Sequence, residues 1–330
     1  MSGEAPLTEI LAARIRRAGP ILFSEFMEAA LYHPDHGYYS AARRAVAEPT
    51  GAAGDYFTAT QLQPVFGRLA CAALSRLRAE LGLPEGCTVA DWGAGRALMR
   101  EFFHGFRYVA VEVSQPAPSP FEGIVFANEL FDALPADAVR CRRGAARLLR
   151  VDFRDGAFRW IEAEPPQDPW LAYVERLEPL FRETGDFQIE LPVRMEQELR
   201  RIGASLRRGS MLVIDYGYTE REAVRFPRGT LMSYRRHTAS EDVLRDPGMQ
   251  DITAHVPFTF LGELAAASGW TPHPLENFSS WLLRAGEADH FAAALAAESE
   301  EEAARLRLQL KTLLFGMGEA FRCLRLDKAG

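Results

Sequence analysis

Acidic and amide side chains follow a short apolar run near the middle of the chain. Residues 123–127 (Gly-Ile-Val-Phe-Ala) predict a buried strand, and Asn128, Glu129 and Asp132 come soon after it. Side chains just beyond the carboxyl end of a parallel strand lie where open α/β sheets bind their ligands. The cluster is therefore a candidate site. The alternative is structural, with Asp132 capping the following turn and Glu129 binding backbone amides.

A glycine turn further upstream predicts a second ligand-binding feature. Asp91, Gly93 and Gly95 follow an apolar run, and glycine lets the backbone take a positive φ and approach a ligand closely. Glu112 ends the next apolar run, 21 positions after Asp91, close to the spacing at which an acidic side chain binds a ribose diol. This is the outline of an adenosine-binding βαβ unit, and the alternative is a strand–turn–helix that binds no ligand.

The third small position of a dinucleotide-binding fingerprint is occupied by Leu98. A leucine would crowd the close helix–strand packing that this position serves, so an oxidoreductase that binds NAD or FAD is disfavoured. S-adenosylmethionine fits better, because it carries an amino acid in place of the pyrophosphate.

These side chains need a sheet to position them, and the apolar periodicity predicts one. Strands are expected at 88–90, 108–112, 123–127 and 211–218, and an antiparallel meander at 138–163. Helices are expected before Gly19 and at 25–32, 61–81, 97–103, 170–181, 193–206, 258–267 and 288–314, with Ser24 and Gly209 as caps. Only ten residues, 114–123, link the second strand to the third, too few for a crossover helix. The predicted fold class is α/β.

Composition narrows the function. The chain has 330 residues, is 48% hydrophobic and 25% charged, and carries a net charge of −7, which argues against a nucleic-acid binder. Its four cysteines are far apart, so neither a disulfide framework nor a zinc site is expected. The chain has neither an 18-residue apolar run nor a secretory signal pattern, so we expect a cytoplasmic protein without membrane insertion.

His33 and His36 are the one pair of histidines with a spacing that could ligate a metal. Pro34 and Gly37 break the helix that such a pair would need, so we predict a hydrogen-bonded turn and no metal site.

Long ordered motifs resemble one family, the MidA-like class I S-adenosylmethionine-dependent methyltransferases. They lie at 19–27, 30–39, 54–58, 66–67, 128–135, 214–218, 229–237 and 246–256. The mitochondrial member of this family is an arginine methyltransferase that assists assembly of respiratory complex I. The similarity runs from about residue 19 to about residue 267.

The resemblance implies a seven-stranded methyltransferase sheet with helices on both faces. It implies an N-terminal helical segment at 1–82 and a core at 83–330 that carries a substrate-covering insertion at about 138–190. It places Asp91, Gly93, Gly95, Glu112, Asp55 and Thr58 at the cofactor, Asn128, Glu129 and Asp132 at the catalytic face, and Asp215, Tyr216 and Tyr38 on the substrate side.

Three departures from the family pattern support an alternative. The glycine loop is one residue short and lacks its third glycine, Gln61 replaces a carboxylate, and residues 114–123 replace a segment that would hold a helix and a strand. The first hypothesis is a methyltransferase that acts on a protein, with arginine as acceptor and a respiratory-complex subunit as a candidate substrate. Carboxylates suit that acceptor, because a guanidinium stays cationic at physiological pH. The alternative is a non-catalytic binding or assembly protein that has lost the cofactor.

Overall fold

The computed structural model describes residues 6–40, 62–235 and 238–330. The helices are α1 (Pro6–Ala18), α2 (Phe23–Tyr32), α3 (Val65–Glu80), α4 (Trp170–Leu177), α5 (Met195–Ser205), α6 (Phe258–Ala267), α7 (Phe278–Gly286) and α8 (Glu300–Lys311). The strands are β1 (Ile21–Leu22), β2 (Thr88–Trp92), β3 (Arg107–Val111), β4 (Phe121–Asn128), β5 (Asp137–Arg142), β6 (Ala145–Arg154), β7 (Ala157–Glu162), β8 (Phe187–Leu191), β9 (Leu206–Tyr218), β10 (Met232–Arg235), β11 (Thr238–Ser240), β12 (Asp251–Thr253), β13 (Val256–Pro257), β14 (Thr271–Pro272), β15 (Glu276–Asn277) and β16 (Phe321–Lys328).

The chain forms two compact units. The first unit comprises the described residues of Met1–Phe57, Asp132–Met195 and Tyr218–His255, and the second comprises those of Thr58–Phe131, Glu196–Gly217 and Val256–Gly330. The predicted division into a segment at 1–82 and a core at 83–330 with an insertion at about 138–190 stays a prediction.

The second unit is built on a mixed sheet with the order β14-β16-β9-β4-β2-β3. Strands β3, β2, β4 and β9 are parallel, whereas β16 runs antiparallel to β9. On one face, Val89 and Ile124 join a core with apolar side chains of α3, α7 and α8. On the other face, the Trp92 side chain at the end of β2 donates a hydrogen bond to Glu198 of α5. The α/β class with helices on both faces is thus confirmed.

The resemblance implied seven strands, and the described sheet differs. Its six-strand path is joined by two short strands, since β13 pairs with β9 and β15 pairs with β16. The connection between β3 and β4 holds no helix, as its length predicted. β3 therefore lies at the end of the strand order, with β2 as its neighbour.

The first unit contains the predicted antiparallel meander. Strands β1-β6-β5-β8 lie side by side, β7 pairs with β6, and β10 pairs with β11 and β12. Leu11, Phe26 and Val151 belong to its core, which joins α1 and α2 to the sheet.

Four local predictions are wrong. Ser24 lies inside α2 rather than at its cap, because its backbone N–H donates to Asp137 Oδ1 at 2.9 Å. Gly209 is not a helix cap but lies within β9. The helix expected at 97–103 is a 3-10 helix at Leu98–Glu101, and the helix expected at 288–314 begins only at Glu300, where Ser299 provides the cap.

Candidate functional site

The glycine turn at the carboxyl end of β2 has the backbone geometry that the sequence predicted. Gly93 has φ +79° and Gly95 has φ +55°. The N–H of Gly93 donates to Val111 O at 2.7 Å, which ties the turn to the end of β3. A Cβ at Gly93 would come within 3.0 Å of Leu130, whereas a Cβ at Gly95 would meet no atom of the described residues within 4 Å. Among the described residues, the turn therefore leaves the backbone at Gly95 uncovered.

The helix after this turn is too short to bind a phosphate. Ala97 has a left-handed φ of 54°, and the 3-10 helix Leu98–Glu101 has only four residues. A long helix supplies a dipole and several free N–H groups to an anion, and a single turn supplies little of either. The geometry thus favours a nucleoside ligand without a pyrophosphate.

Asp91 is a buried carboxyl at this edge of the sheet. It is 4% exposed, and Tyr108 Oη donates to its Oδ2 at 2.5 Å. Burial is the main cause that raises its pKa to about 7, and the nearby charge of Glu112 raises it further, while the Tyr108 hydrogen bond opposes this. A cation bound beside Asp91 would favour its ionised form. Glu112 is half-buried and comes directly after β3, so the structure brings both predicted acids to one region.

Asn128 ends β4 and Glu129 follows it, and β4 lies two strands from β3, which Glu112 follows. Asn128 Nδ2 donates to Glu129 Oε1 at 3.0 Å. Asn128 Oδ1 is buried, and among the described residues it has no hydrogen-bond partner. Glu129 has a left-handed φ of 52°, and its N–H donates to Ile214 O at 2.9 Å. A non-glycine residue held in this conformation stores strain, which is typical of functional sites.

Asp215 and Tyr216 lie in β9, next to β4. Asp215 is fully buried, and its two oxygens accept the N–H groups of Phe131 and Tyr216 at 2.8 and 2.9 Å. The Tyr216 ring centroid lies 3.8 Å from that of Phe321. These contacts fix the residues that follow β4, and the substrate-side assignment of both residues stays a prediction.

Asp132 and Tyr38 belong to the first unit. Asp132 is buried, and its carbonyl accepts the N–H of Ala254 at 2.9 Å. Burial raises the pKa of Tyr234, and the charge of Asp132 raises it further. Tyr38 is fully buried against Tyr39. Their predicted roles stay predictions.

Two predicted cofactor residues, Asp55 and Thr58, lie outside the described residues. At the histidine pair, His33 Nδ1 accepts the N–H groups of Asp35 and His36, both at 3.3 Å, which forms the predicted turn. Within 6–40, 62–235 and 238–330, no group of three His, Cys, Asp or Glu side chains could hold a metal ion.

Sequence reasoning missed a hydrogen-bonded cluster on α5. Trp92 Nε1 donates to Glu198 Oε1 at 2.5 Å, and Arg201 Nη2 donates to Glu112 O at 2.9 Å. The i,i+3 spacing of Glu198 and Arg201 indicates a pair on one helix face. Nothing in the sequence links that pair to β2 or Glu112, which are about a hundred positions away.

Comparisons with known proteins agree on one family. A family described as putative S-adenosyl-L-methionine-dependent methyltransferases matches residues 103–275. A Drosophila melanogaster protein named protein arginine methyltransferase NDUFAF7 homolog, mitochondrial, is 25% identical, with 81% of this chain and 72% of the relative covered. The human protein arginine methyltransferase NDUFAF7, mitochondrial, is 24% identical, with 79% and 69% covered. A Burkholderia thailandensis protein solved with S-adenosyl-homocysteine bound has a TM-score of 0.82 at 26% identity, with 98% of this chain and 92% of that chain covered.

The cytoplasmic location expected from the sequence is wrong, because the curated relatives are named as mitochondrial proteins. The expectation came from the lack of a secretory signal pattern, and mitochondrial targeting uses a different, amphipathic and arginine-rich pattern. None of the described helices is long and apolar enough to span a bilayer.

Proposed function

We propose, from the premise that this chain belongs to the family of putative S-adenosyl-L-methionine-dependent methyltransferases, that it methylates arginine side chains of a protein. The predicted cofactor, S-adenosyl-L-methionine, is confirmed by the family and by the S-adenosyl-homocysteine in the similar structure. The cofactor supplies an activated methyl group. The protein has to position the acceptor and balance its charge.

The residues at the glycine turn fit this cofactor. No described residue would lie within 4 Å of a Cβ at Gly95, and Asp91 is a buried carboxyl that a cationic ligand would ionise. Glu112 follows β3, the position from which an acid binds a ribose diol. The short helix at Leu98–Glu101 is no obstacle, because this ligand has no phosphate. We therefore assign Asp91, Gly93, Gly95 and Glu112 to the cofactor.

One observation carries the acceptor side of the proposal. Glu129 is held with φ 52° at the carboxyl end of β4, beside the buried Oδ1 of Asn128. Two acceptor side chains that meet at one strand end suit a guanidinium, which has five N–H donors and no acceptor. The strain at Glu129 supports selection for function rather than for stability.

The relatives support the choice of arginine and of a protein substrate. The Drosophila and the human relatives are both named protein arginine methyltransferases. The MidA-like resemblance adds a role in respiratory-complex assembly. We infer that a subunit of such a complex is the acceptor. We keep Asp132, Asp215, Tyr216 and Tyr38 as candidate residues on the acceptor side.

The alternative, a binding or assembly protein without cofactor, rests on the short turn and on the missing segment after β3. A titration with S-adenosyl-homocysteine separates the two. Calorimetry should give a dissociation constant in the micromolar range, which corresponds to a binding free energy of roughly −8 kcal/mol. Glu112→Ala should weaken binding, and Glu101→Ala, an exposed acid in the 3-10 helix, should not.

The acceptor is tested by incubating the protein and labelled cofactor with mitochondrial protein extracts. Methylarginine in a recovered peptide, lost with Glu129→Gln, supports the proposal. If the wild-type titration gives no heat of binding, the enzyme hypothesis is wrong and the non-catalytic binding protein remains. If methyl groups appear on lysine alone, arginine is not the acceptor.

A further inference from the structure

We propose that Arg201 is a positioning residue, which fixes the backbone that carries Glu112 and the connection after β3. The inference rests on the proposed function, because Glu112 matters only if the cofactor binds there. Nothing in the local sequence pattern around Arg201 assigns it this role.

The guanidinium of Arg201 joins three elements of the second unit. Its Nη2 donates to Glu112 O at 2.9 Å and also to Gln115 O. Its Nη1 donates to Glu198 Oε1 at 2.5 Å, and its carbon lies 5.0 Å from the centroid of the Trp92 ring. One side chain thus connects α5, the end of β2 and the connection that begins at Glu112.

Side-chain hydrogen bonds from α5 hold the connection that follows β3. Residues 112–120 hold no helix or strand, and β3 has β2 as its neighbour in the strand order. Ser205 Oγ donates to Pro118 O at 3.2 Å, and Gln115 N donates to Glu112 O at 3.1 Å. Arg201 and Ser205 are one helical turn apart on α5, so a single helix face anchors both parts of the connection.

The orientation of Arg201 is itself fixed. Its side chain is 19% exposed and that of Glu198 is 8% exposed. Glu198 Oε1 accepts from Trp92 Nε1 as well as from Arg201, so the carboxylate cannot turn away without breaking a buried bond. A planar guanidinium can meet a carboxylate and two carbonyls at once, whereas a lysine ammonium on its flexible stem cannot reproduce that fork.

The test uses the full chain with three variants, Arg201→Ala, Arg201→Lys and Arg200→Ala. Arg200 is the matched control, because it is exposed on the same helix and pairs with Glu196 within that helix. We measure S-adenosyl-homocysteine binding by calorimetry, the melting temperature, and amide hydrogen exchange across 112–119.

Loss of the fork should weaken S-adenosyl-homocysteine binding roughly 10-fold or more in Arg201→Ala, since small displacements of a binding group are costly. Exchange across 112–119 should accelerate while that of β4 and β9 stays unchanged. Arg201→Lys keeps a positive charge beside Glu198, so its melting temperature should stay near that of the wild type while its affinity falls like that of Arg201→Ala. Arg200→Ala should match the wild type in all three measurements.

Two outcomes overturn this inference while the proposed function stands. One is wild-type affinity in both Arg201 variants. The other is a loss of affinity in proportion to stability, with exchange faster throughout the second unit, which would mean a purely structural ion pair. If the wild type binds no S-adenosyl-homocysteine, the proposed function itself fails. If Arg201→Ala does not fold, Arg201→Lys decides.

Discussion

Burial raises the pKa of Asp91 to about 7, and this predicts pH-dependent cofactor binding. A bound ammonium or sulfonium group beside Asp91 favours the ionised carboxylate, so binding must release a proton below pH 7. Affinity for S-adenosyl-homocysteine should therefore fall as the pH falls from 8 to 6, by up to about 10-fold per unit below the pKa. Calorimetry at several pH values measures this.

Asp91→Asn is the control for that prediction. Its affinity should be lower than that of the wild type at pH 8 and should not change with pH. Stability without ligand should move in the opposite sense. The folded-state pKa lies above the ordinary value of 3.8, so the stability from the neutral carboxyl is complete below about pH 4 and is lost as the pH rises through 7. A wild-type melting temperature that rises relative to Asp91→Asn over this range would contradict the assigned burial.

Glu129 offers a test of strain at the acceptor side. Glu129→Gly and Glu129→Ala both remove the carboxylate and its 3.0 Å bond from Asn128. Only glycine accepts a φ of 52° without steric cost, so Glu129→Gly should be more stable than Glu129→Ala by about 1 kcal/mol. Urea denaturation measures the difference, and both variants should lose methyl transfer. Equal stabilities would remove the argument that function selects a strained residue here.

Residues close together in sequence were the ones that sequence reasoning could place. Gly93 and Gly95 have the expected positive φ because the requirement is local to one turn. The hydrogen bond from Arg201 to the backbone carbonyl of Glu112 depends on how α5 packs on the sheet, which no local sequence pattern encodes. Long-range polar contacts were missed for this reason.

At the scale of strand and helix, we expect glycine-to-alanine substitutions at two positions to change the stability in opposite directions. In β9, Gly209 has φ +143°, and a Cβ there would lie 1.8 Å from Gly123 O of β4. Gly209→Ala must separate the two central parallel strands and should cost about 3 kcal/mol or more. In α6, a Cβ added at Gly262 would meet no described residue within 4 Å, so Gly262→Ala should stabilise the protein by about 0.5–1 kcal/mol.

Urea denaturation followed by tryptophan fluorescence compares these two variants with the wild type. Each variant serves as the control for the other, because both add one methyl group to the second unit. A destabilised Gly262→Ala, or a Gly209→Ala of wild-type stability, would contradict the packing described for that element.

Periodicity predicted elements with one buried face better than those whose limits depend on packing. The meander of β5, β6 and β7 alternates along its length and was placed correctly. The helix expected at 97–103 shrinks to a 3-10 turn between Ala97 and Gly105, both of which have positive φ. β16 was missed because its buried residues Cys323 and Leu324 are adjacent, which interrupts the alternation that marks a strand.

At the scale of the whole molecule, composition predicted an ordinary globular protein, and apolar periodicity predicted its α/β class. The expected compartment was wrong because the lack of a secretory signal pattern does not distinguish the cytoplasm from a mitochondrion. Net charge does bear on partners. A value of −7 disfavours nucleic acid and favours a cationic substrate through its long-range field.

That field predicts a salt-dependent acceptor step. The KM for an arginine-rich peptide should rise several-fold between 50 and 300 mM salt, because the Debye length shortens and steering weakens. Affinity for S-adenosyl-homocysteine should change by less than about 2-fold, since that site is partly buried and its ligand carries little net charge. A peptide with lysine in place of arginine carries the same charge, so it should compete with the same salt dependence yet accept no methyl group. A KM that does not change with salt concentration would mean that recognition comes from local contacts alone. Methylation of the lysine peptide would mean that charge, rather than the geometry of the guanidinium, selects the acceptor.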